Sequence, residues 1–306
     1  MCSNKELIGK TYPSNFHGPM EIIECEKRDN VLVRFLESGH TRYTSLSKIK
    51  SGSVRDQSIY LAYAEGTVHP TKNFGFFKVI KYRNAGSIDV EFLATKYRTT
   101  TNLRCIKEGF VKDPYAPRVY GVGYMGTKYP GYIGKNKLKE YQLWSGILQR
   151  CYCPKTQKTH PTYKGCTVSD NFKSYEYFYE WCHNQVGFGN PGWHSDKDLL
   201  FKGNKVYSEN TCVFIPQILN SVLTKSNSIR GSYPIGVSRE GNRYKAEYND
   251  EGTSVYLGMF DTPEQAFQAY KEKKEWGLKQ LAFKWGERLD PRAERALYQY
   301  EVDIND

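Results

Sequence analysis

One segment of this chain is written twice. Gly18, Ile23, Val33, Phe35, Leu36, Thr44, Leu46, Lys50, Gly52, Val54 and Asp56 reappear, 57 residues later and without a gap, as Gly75, Ile80, Val90, Phe92, Leu93, Thr101, Leu103, Lys107, Gly109, Val111 and Asp113. Val31 is matched by Ile88. A repetition of that regularity requires the two copies to share one fold, which predicts modules at 1–57 and 58–113. Each copy alternates apolar and polar residues over 21–25 and 31–36, adds a third strand near 40–46, and ends on a Gly turn. The expected fold is therefore a small β module, present twice. Alone, a module of about 50 residues buries too little apolar surface to be very stable, so the copies are expected to pack together or against a partner.

With 306 residues the chain is too long for one core of ordinary size, and further domains must follow the repeats. No apolar run approaches the roughly 20 residues that span a bilayer, and the opening Met1-Cys2-Ser3-Asn4-Lys5 lacks a signal-peptide core. A cytoplasmic protein without a membrane partner is the expectation. The eight cysteines are irregularly spaced, which favours free thiols over disulfides. The net charge of +11 points to a polyanionic partner, but its distribution qualifies that: residues 1–113 carry +6, residues 114–230 carry +8 and residues 231–306 carry −3.

Residues 114–140 are rich in Gly, Pro and Tyr and have neither helical nor strand periodicity, so they are expected to form a linker or an extended arm. Tyr115, Tyr120, Tyr124, Tyr129 and Tyr132 are many for a solvated linker and are candidate anchors for a partner. From 141 to 230 the character changes. Leu143, Trp144, Ile147 and Leu148 mark one helical face, Tyr175, Phe178, Tyr179, Trp181 and Cys182 a second, and residues 216–223 a third.

In the C-terminal stretch, 231–285, residues 244–248 and 255–260 alternate as two half-buried strands, with Asp250-Glu251-Gly252 as the turn between them. Thr262, Pro263 and Gln265 supply an N-cap, a first-turn proline and a capping-box partner for a helix whose stripe is Ala266, Phe267, Ala269 and Tyr270. This strand-strand-helix order resembles the AP2 domain, whose three-stranded sheet reads DNA and which occurs in plant transcription factors and phage homing endonucleases. The resemblance implies that Arg239, Arg243, Lys245 and Tyr256 are possible nucleic-acid contacts. Ser238, Asn249 and Ser254 stand where that family usually has arginine, and Glu240, Glu247, Asp250 and Glu251 would repel phosphate. Residues 286–306 begin with a helical pattern of Leu289, Ala293, Ala296, Leu297 and Tyr300 and end acidic, expected as a packed terminal helix or a docking helix.

The middle stretch carries Asp196-Lys197-Asp198, Gly203-Asn204, Tyr207-Ser208-Glu209-Asn210-Thr211-Cys212 and Asn220. This order resembles phage HNH endonucleases, which often travel with an AP2 domain. HNH chemistry needs a general-base histidine beside a metal ligand, and His160, His183 and His194, with Asp196 and Asp198, do not fall into a His-Asn-His order. A catalytically degenerate frame is expected, with no catalytic residue and no cofactor. Cys151, Cys153, Cys166 and Cys182 are weak zinc candidates because paired Cys-x2-Cys knuckles are missing. Gly121-x-Gly123-x-x-Gly126 lacks a surrounding βαβ unit and carries no phosphate-loop argument.

The expected fold class is multi-domain α+β: two small SH3-like β modules, a mixed HNH-like frame, and an AP2-like sheet and helix. Two functions from different classes follow. One is a non-catalytic phage binding protein that occludes a host defence complex, with phage inhibitors of the Gabija system as the nearest functional type, acting as a homo-oligomer. The other is a DNA-binding protein or relic homing endonuclease.

Overall fold

The computed structural model describes residues 4–223, 232–250 and 252–304; Glu251 of the expected turn and Cys2 lie outside them. The fold is mixed α+β, built from several small sheets, mostly antiparallel. Two compact units, Met1–Asp113 and Pro114–Asp306, divide the chain. Among the described residues no helix is long and apolar enough to cross a membrane.

In the first unit, strands β1 (Thr11–Ser14), β2 (Gly18–Lys27), β3 (Asn30–Phe35) and β4 (Thr41–Thr44) form a sheet in sequence order, followed by helix α1 (Leu46–Lys50). Helix α2 (Gln57–Ala62) leads to β5 (Val68–Pro70), β6 (Phe76–Asn84), β7 (Ser87–Phe92), β8 (Arg98–Thr101) and helix α3 (Leu103–Lys107), again in sequence order. The offset of 57 holds down to the irregularities. Ile22 pairs with Val33 as Val79 pairs with Val90, and the register shifts at Ile22/Glu24 and Cys25/Lys27 return at Val79/Lys81 and Tyr82/Asn84. Phe35 and Phe92 are fully buried, and Ile49 and Ile106 bring each short helix onto its sheet. The buried carboxylates Asp56 and Asp113 accept from equivalent hydroxyls, Ser38 and Thr95.

Each module has four strands and a helix where three strands were expected. The fourth strand, Thr11–Ser14 or Val68–Pro70, is too short to display a period, and its Pro13 or Pro70 sits at the sheet edge, where a missing N–H costs least. Ile23 and Ile80 occupy the same register shift in the two copies, and Ile80 is exposed.

The second unit opens with the Gly/Pro/Tyr-rich stretch, which is not a free linker. It contains a small hairpin of β9 (Tyr132–Ile133) and β10 (Asn136–Lys137) and lies on two helices, α4 (Lys139–Tyr152) and α7 (Tyr175–His183). The backbone N–H groups of Thr127 and Lys128 both donate to Glu176 Oε1 at 2.5 Å, Tyr124 N donates to the Lys173 carbonyl, and Tyr175 N to the Tyr124 carbonyl. Its glycines serve close approach. A Cβ on Gly123 would collide with Leu148 and Trp144, and one on Gly126 with Glu176.

Trp144, Ile147, Leu148 and Cys151 of α4 face Tyr175, Phe178, Trp181 and Cys182 of α7 in the largest core. Helix α5 (Pro154–Thr159), β11 (Thr167–Val168) and α6 (Asp170–Lys173) come between these helices in sequence. Next come β12 (Trp193–Asp196), β13 (Val206–Tyr207), β14 (Val213–Pro216) and α8 (Gln217–Leu223), with β12 antiparallel to β14 and β13 parallel to β11.

The C-terminal sheet is β15 (Val237–Glu240), β16 (Arg243–Asp250) and β17 (Thr253–Phe260), backed by α9 (Pro263–Trp285). Thr262 caps α9 by accepting from Gln265 N at 3.3 Å, while Gln265 reaches back to Asp261 N rather than to its cap residue. Ala266, Phe267 and Tyr270 meet the sheet side as expected. The helix then runs on: Leu278, Leu281 and Ala282 join Val213, Ile215 and Leu219 of β14 and α8, and Leu289, Ala293 and Leu297 around α10 (Pro291–Tyr298), in a separate core. The boundaries expected at 230 and 285 therefore do not part independent cores. The terminal helix is packed, and Val302 after it is buried with Tyr248 and Phe267.

Candidate functional site

A polar cavity of about 440 Å³ opens beside the β12–β14 ribbon. Strand alternation puts His194 and Asp196 on one face of β12 and Ser195 on the other, where its Oγ is buried and unpartnered. Asp196 Oδ1 accepts from the N–H groups of Asp198 (2.8 Å) and Leu199 (2.7 Å), so the carboxylate locks the turn that leaves the strand. Burial outweighs those two bonds and pushes its carboxyl above the ordinary value.

Lys197 is almost wholly buried. Its ammonium donates to Asp198 Oδ1 at 2.5 Å and to the Asn204 carbonyl at 2.6 Å, while Asn204 Nδ2 returns a bond to the Lys197 carbonyl at 3.0 Å. The loop after β12 is thus closed by its own charges. Arg150, Lys205, Tyr207 and Asn220 complete the lining. Tyr207 is buried, which raises its phenol, and Lys205 donates to the Thr162 carbonyl. The Tyr-Ser-x-Asn-x-Cys step forms a tight turn: Thr211 Oγ1 takes the Ser208 N–H and donates to the Val206 carbonyl, and Cys212 N bonds Ser208 O.

Of the three candidate histidines the structure brings only His194 to this cavity. His183 pairs with Glu140 Oε1 at 2.8 Å between Tyr179 and Phe188, and His160 ends α5 against Tyr163. Asp196, Asp198, Asn204 and Asn220 do converge with His194, but Asp198 is already paired with the Lys197 ammonium and Asp196 with two backbone N–H groups. The cavity can hold an anion against Arg150, Lys205 and His194.

Cys151, Cys166, Cys182 and Cys212 are buried in one core, where desolvation pushes Cys151 and Cys212 up to about 12 and raises Cys182. Zinc requires thiolates, and the surroundings of Cys151, Cys182 and Cys212 disfavour them. Cys153 lies outside the core at the start of α5, where the Thr156 N–H and hydroxyl lower its thiol. The described residues contain no group of three or more His, Cys, Asp or Glu side chains set to hold a metal ion.

On the C-terminal sheet, register separates the four possible nucleic-acid contacts. Lys245 pairs with Ser238 and Met259, Arg243 with Glu240, and Tyr256 with Glu247, all on the face away from α9. Arg239 pairs with Tyr244 and so belongs to the other face; it bonds the Gly241 carbonyl. The outer cations are matched: Arg243 meets Asp261 at 3.1 Å and Lys245 meets Glu247 at 2.8 Å. Tyr256 is well exposed.

The arm tyrosines divide in the same way. Tyr129 stacks on Tyr179 with ring centres 3.9 Å apart and donates to Glu180, while Tyr115 and Tyr124 are half-buried against each other. Tyr120 and Tyr132 are exposed, as is Ile133, which follows Tyr132 in β9. The chain was compared with protein-family models, with curated proteins and with solved structures, and none of the three gave a match.

Proposed function

We propose that this chain is a non-catalytic phage binding protein, assembled from degenerate HNH-like and AP2-like modules after two SH3-like repeats, that occludes a host nuclease or nucleic-acid-handling immune complex. A Gabija-type inhibitor working as a homo-oligomer in the host cytoplasm is the concrete form of the reading. One observation carries the non-catalytic part: the buried Lys197 is bound to Asp198 and to the Asn204 carbonyl, so a carboxylate beside His194 is already paired with a cation. The pairing of Arg243 and Lys245 within their own sheet supports the same reading, since phosphate binding would have to break both pairs. Exposed Tyr120, Tyr132 and Ile133, and Trp276 and Phe283 on α9, supply aromatic and apolar anchors of the kind that dominate protein interfaces.

A second reading, a DNA-binding protein or relic homing endonuclease, is favoured by the anion-compatible lining of Arg150, Lys205 and His194. A cleavage assay separates them. Purified protein is expected to leave plasmid and linear DNA intact with Mg²⁺ or Mn²⁺. Cutting that disappears in His194→Ala would replace the first reading by the second.

A further inference from the structure

The two β modules enclose a cleft of about 560 Å³, within the range of small-ligand sites. Its walls come from non-equivalent parts of the repeat: the β1–β2 turn, β4 and the end of the first copy on one side, the β6–β7 hairpin of the second copy on the other. The duplication supplies an internal control. What both copies keep is required by the fold; what one copy holds alone is not. Phe16, His17, Arg42 and Arg55 correspond to Asn73, Phe74, Thr99 and Lys112, and Tyr82 and Arg83 correspond to Cys25 and Glu26. Apart from Asp56, which the second copy keeps as Asp113, these are side chains that the sister module folds without.

These side chains form a cationic, aromatic site. The Arg55 guanidinium lies over the Phe16 ring, 4.5 Å from its centre, which makes a flat platform. Arg42 donates to the Arg55 carbonyl at 2.8 Å, yet its Nε is buried without a partner. Neither arginine has an acidic partner among the described residues, whereas Arg83 is held by Asp89 through two contacts of 2.6 Å. Asp56 lies in the wall with its oxygens already taken by Ser38 and by the N–H and hydroxyl of Ser58. His17 Nδ1 accepts from Asp56 N, which leaves Nε2 as the ring's donor in the neutral form that burial favours.

We propose that this cleft binds a nucleotide, its phosphate on Arg42 and Arg55 and its base stacked on the Phe16–Arg55 platform or on Tyr82. The inference does not depend on the function proposed above. Phosphate and base could be offered by a free nucleotide or by the 5′-phosphorylated end of a strand. Titration calorimetry on the full chain with AMP, adenosine, and a short oligo-dT with and without its 5′-phosphate distinguishes them. Binding of AMP but not adenosine assigns a free nucleotide, and binding of the phosphorylated strand over the hydroxyl strand assigns a strand end. No binding, or equal binding of both strands without AMP binding, overturns the proposal. Arg42→Thr and Phe16→Asn install the residues of the second copy. Each is expected to weaken binding about tenfold or more at an unchanged melting temperature; undiminished binding would equally overturn the assignment.

Discussion

Trp144→Ala is expected to destabilise the second unit by about 3–5 kcal/mol, the range for emptying a large buried aromatic site. Trp144 is 1% exposed and packs against Tyr141 and Tyr175. The arm also closes over it, since a Cβ on Gly123 would strike its ring. Its Nε1–H donates to the Phe172 carbonyl at 2.7 Å, and the alanine variant leaves that buried acceptor without its partner. Trp144→Phe keeps much of the volume and loses the bond, with an expected cost of about 1–3 kcal/mol. Urea unfolding of both variants checks the order. The arm should loosen with the core, so amide exchange at Tyr124, whose N–H reaches the Lys173 carbonyl, should accelerate in Trp144→Ala. An arm that keeps full protection would contradict its placement on this core.

Leu278→Ala carries the second large effect, about 2–5 kcal/mol. Leu278 is fully buried in the core that joins β14 and α8 to α9 and α10. Because α9 is continuous from Pro263 to Trp285, the loss should propagate in both directions: α10 loses its base, and the C-terminal sheet loses the rigid extension of the helix that backs it. Hydrogen exchange should show faster opening in α10 and at Ala246 and Tyr248 of β16 together. If only α10 responds, the sheet and its helix form an independent domain after all. The same geometry predicts that a fragment ending at 285 exposes Leu278 and Leu281, each worth about 1.5–3 kcal/mol of burial.

What the residues disclosed in advance depended on how far apart the interacting parts lie. The repeat could be read because each copy is the other's reference, so Val33 and Val90 announce each other. Short elements could not: four residues such as Thr11–Ser14 show no period, and α1 spans little more than one turn. The start of α9 was visible in Thr262 and Pro263, local signals both, but its continuation rests on Leu278, Leu281 and Ala282 meeting β14 and α8 from far along the chain. Gly/Pro/Tyr composition reads as a linker because flush packing and flexibility use the same residues, and only Trp144 and Glu176 decide between them. In the polar cavity the sequence named Asp196, Asp198, Asn204 and Asn220, but the separation of His183 and His160 from His194 is a tertiary fact. The cleft between the modules went unread for want of one comparison, that of positions at which the copies differ.

The central claim, non-catalytic protein binding, is tested most directly by affinity recovery of the full chain from infected host cells, with and without nuclease treatment. The account predicts a defined host protein complex that survives nuclease digestion and is lost when Tyr120, Tyr132 and Ile133 are replaced by alanine in the folded chain. Recovery of DNA alone, abolished by nuclease and by raised salt, and unaffected by those replacements, would contradict it.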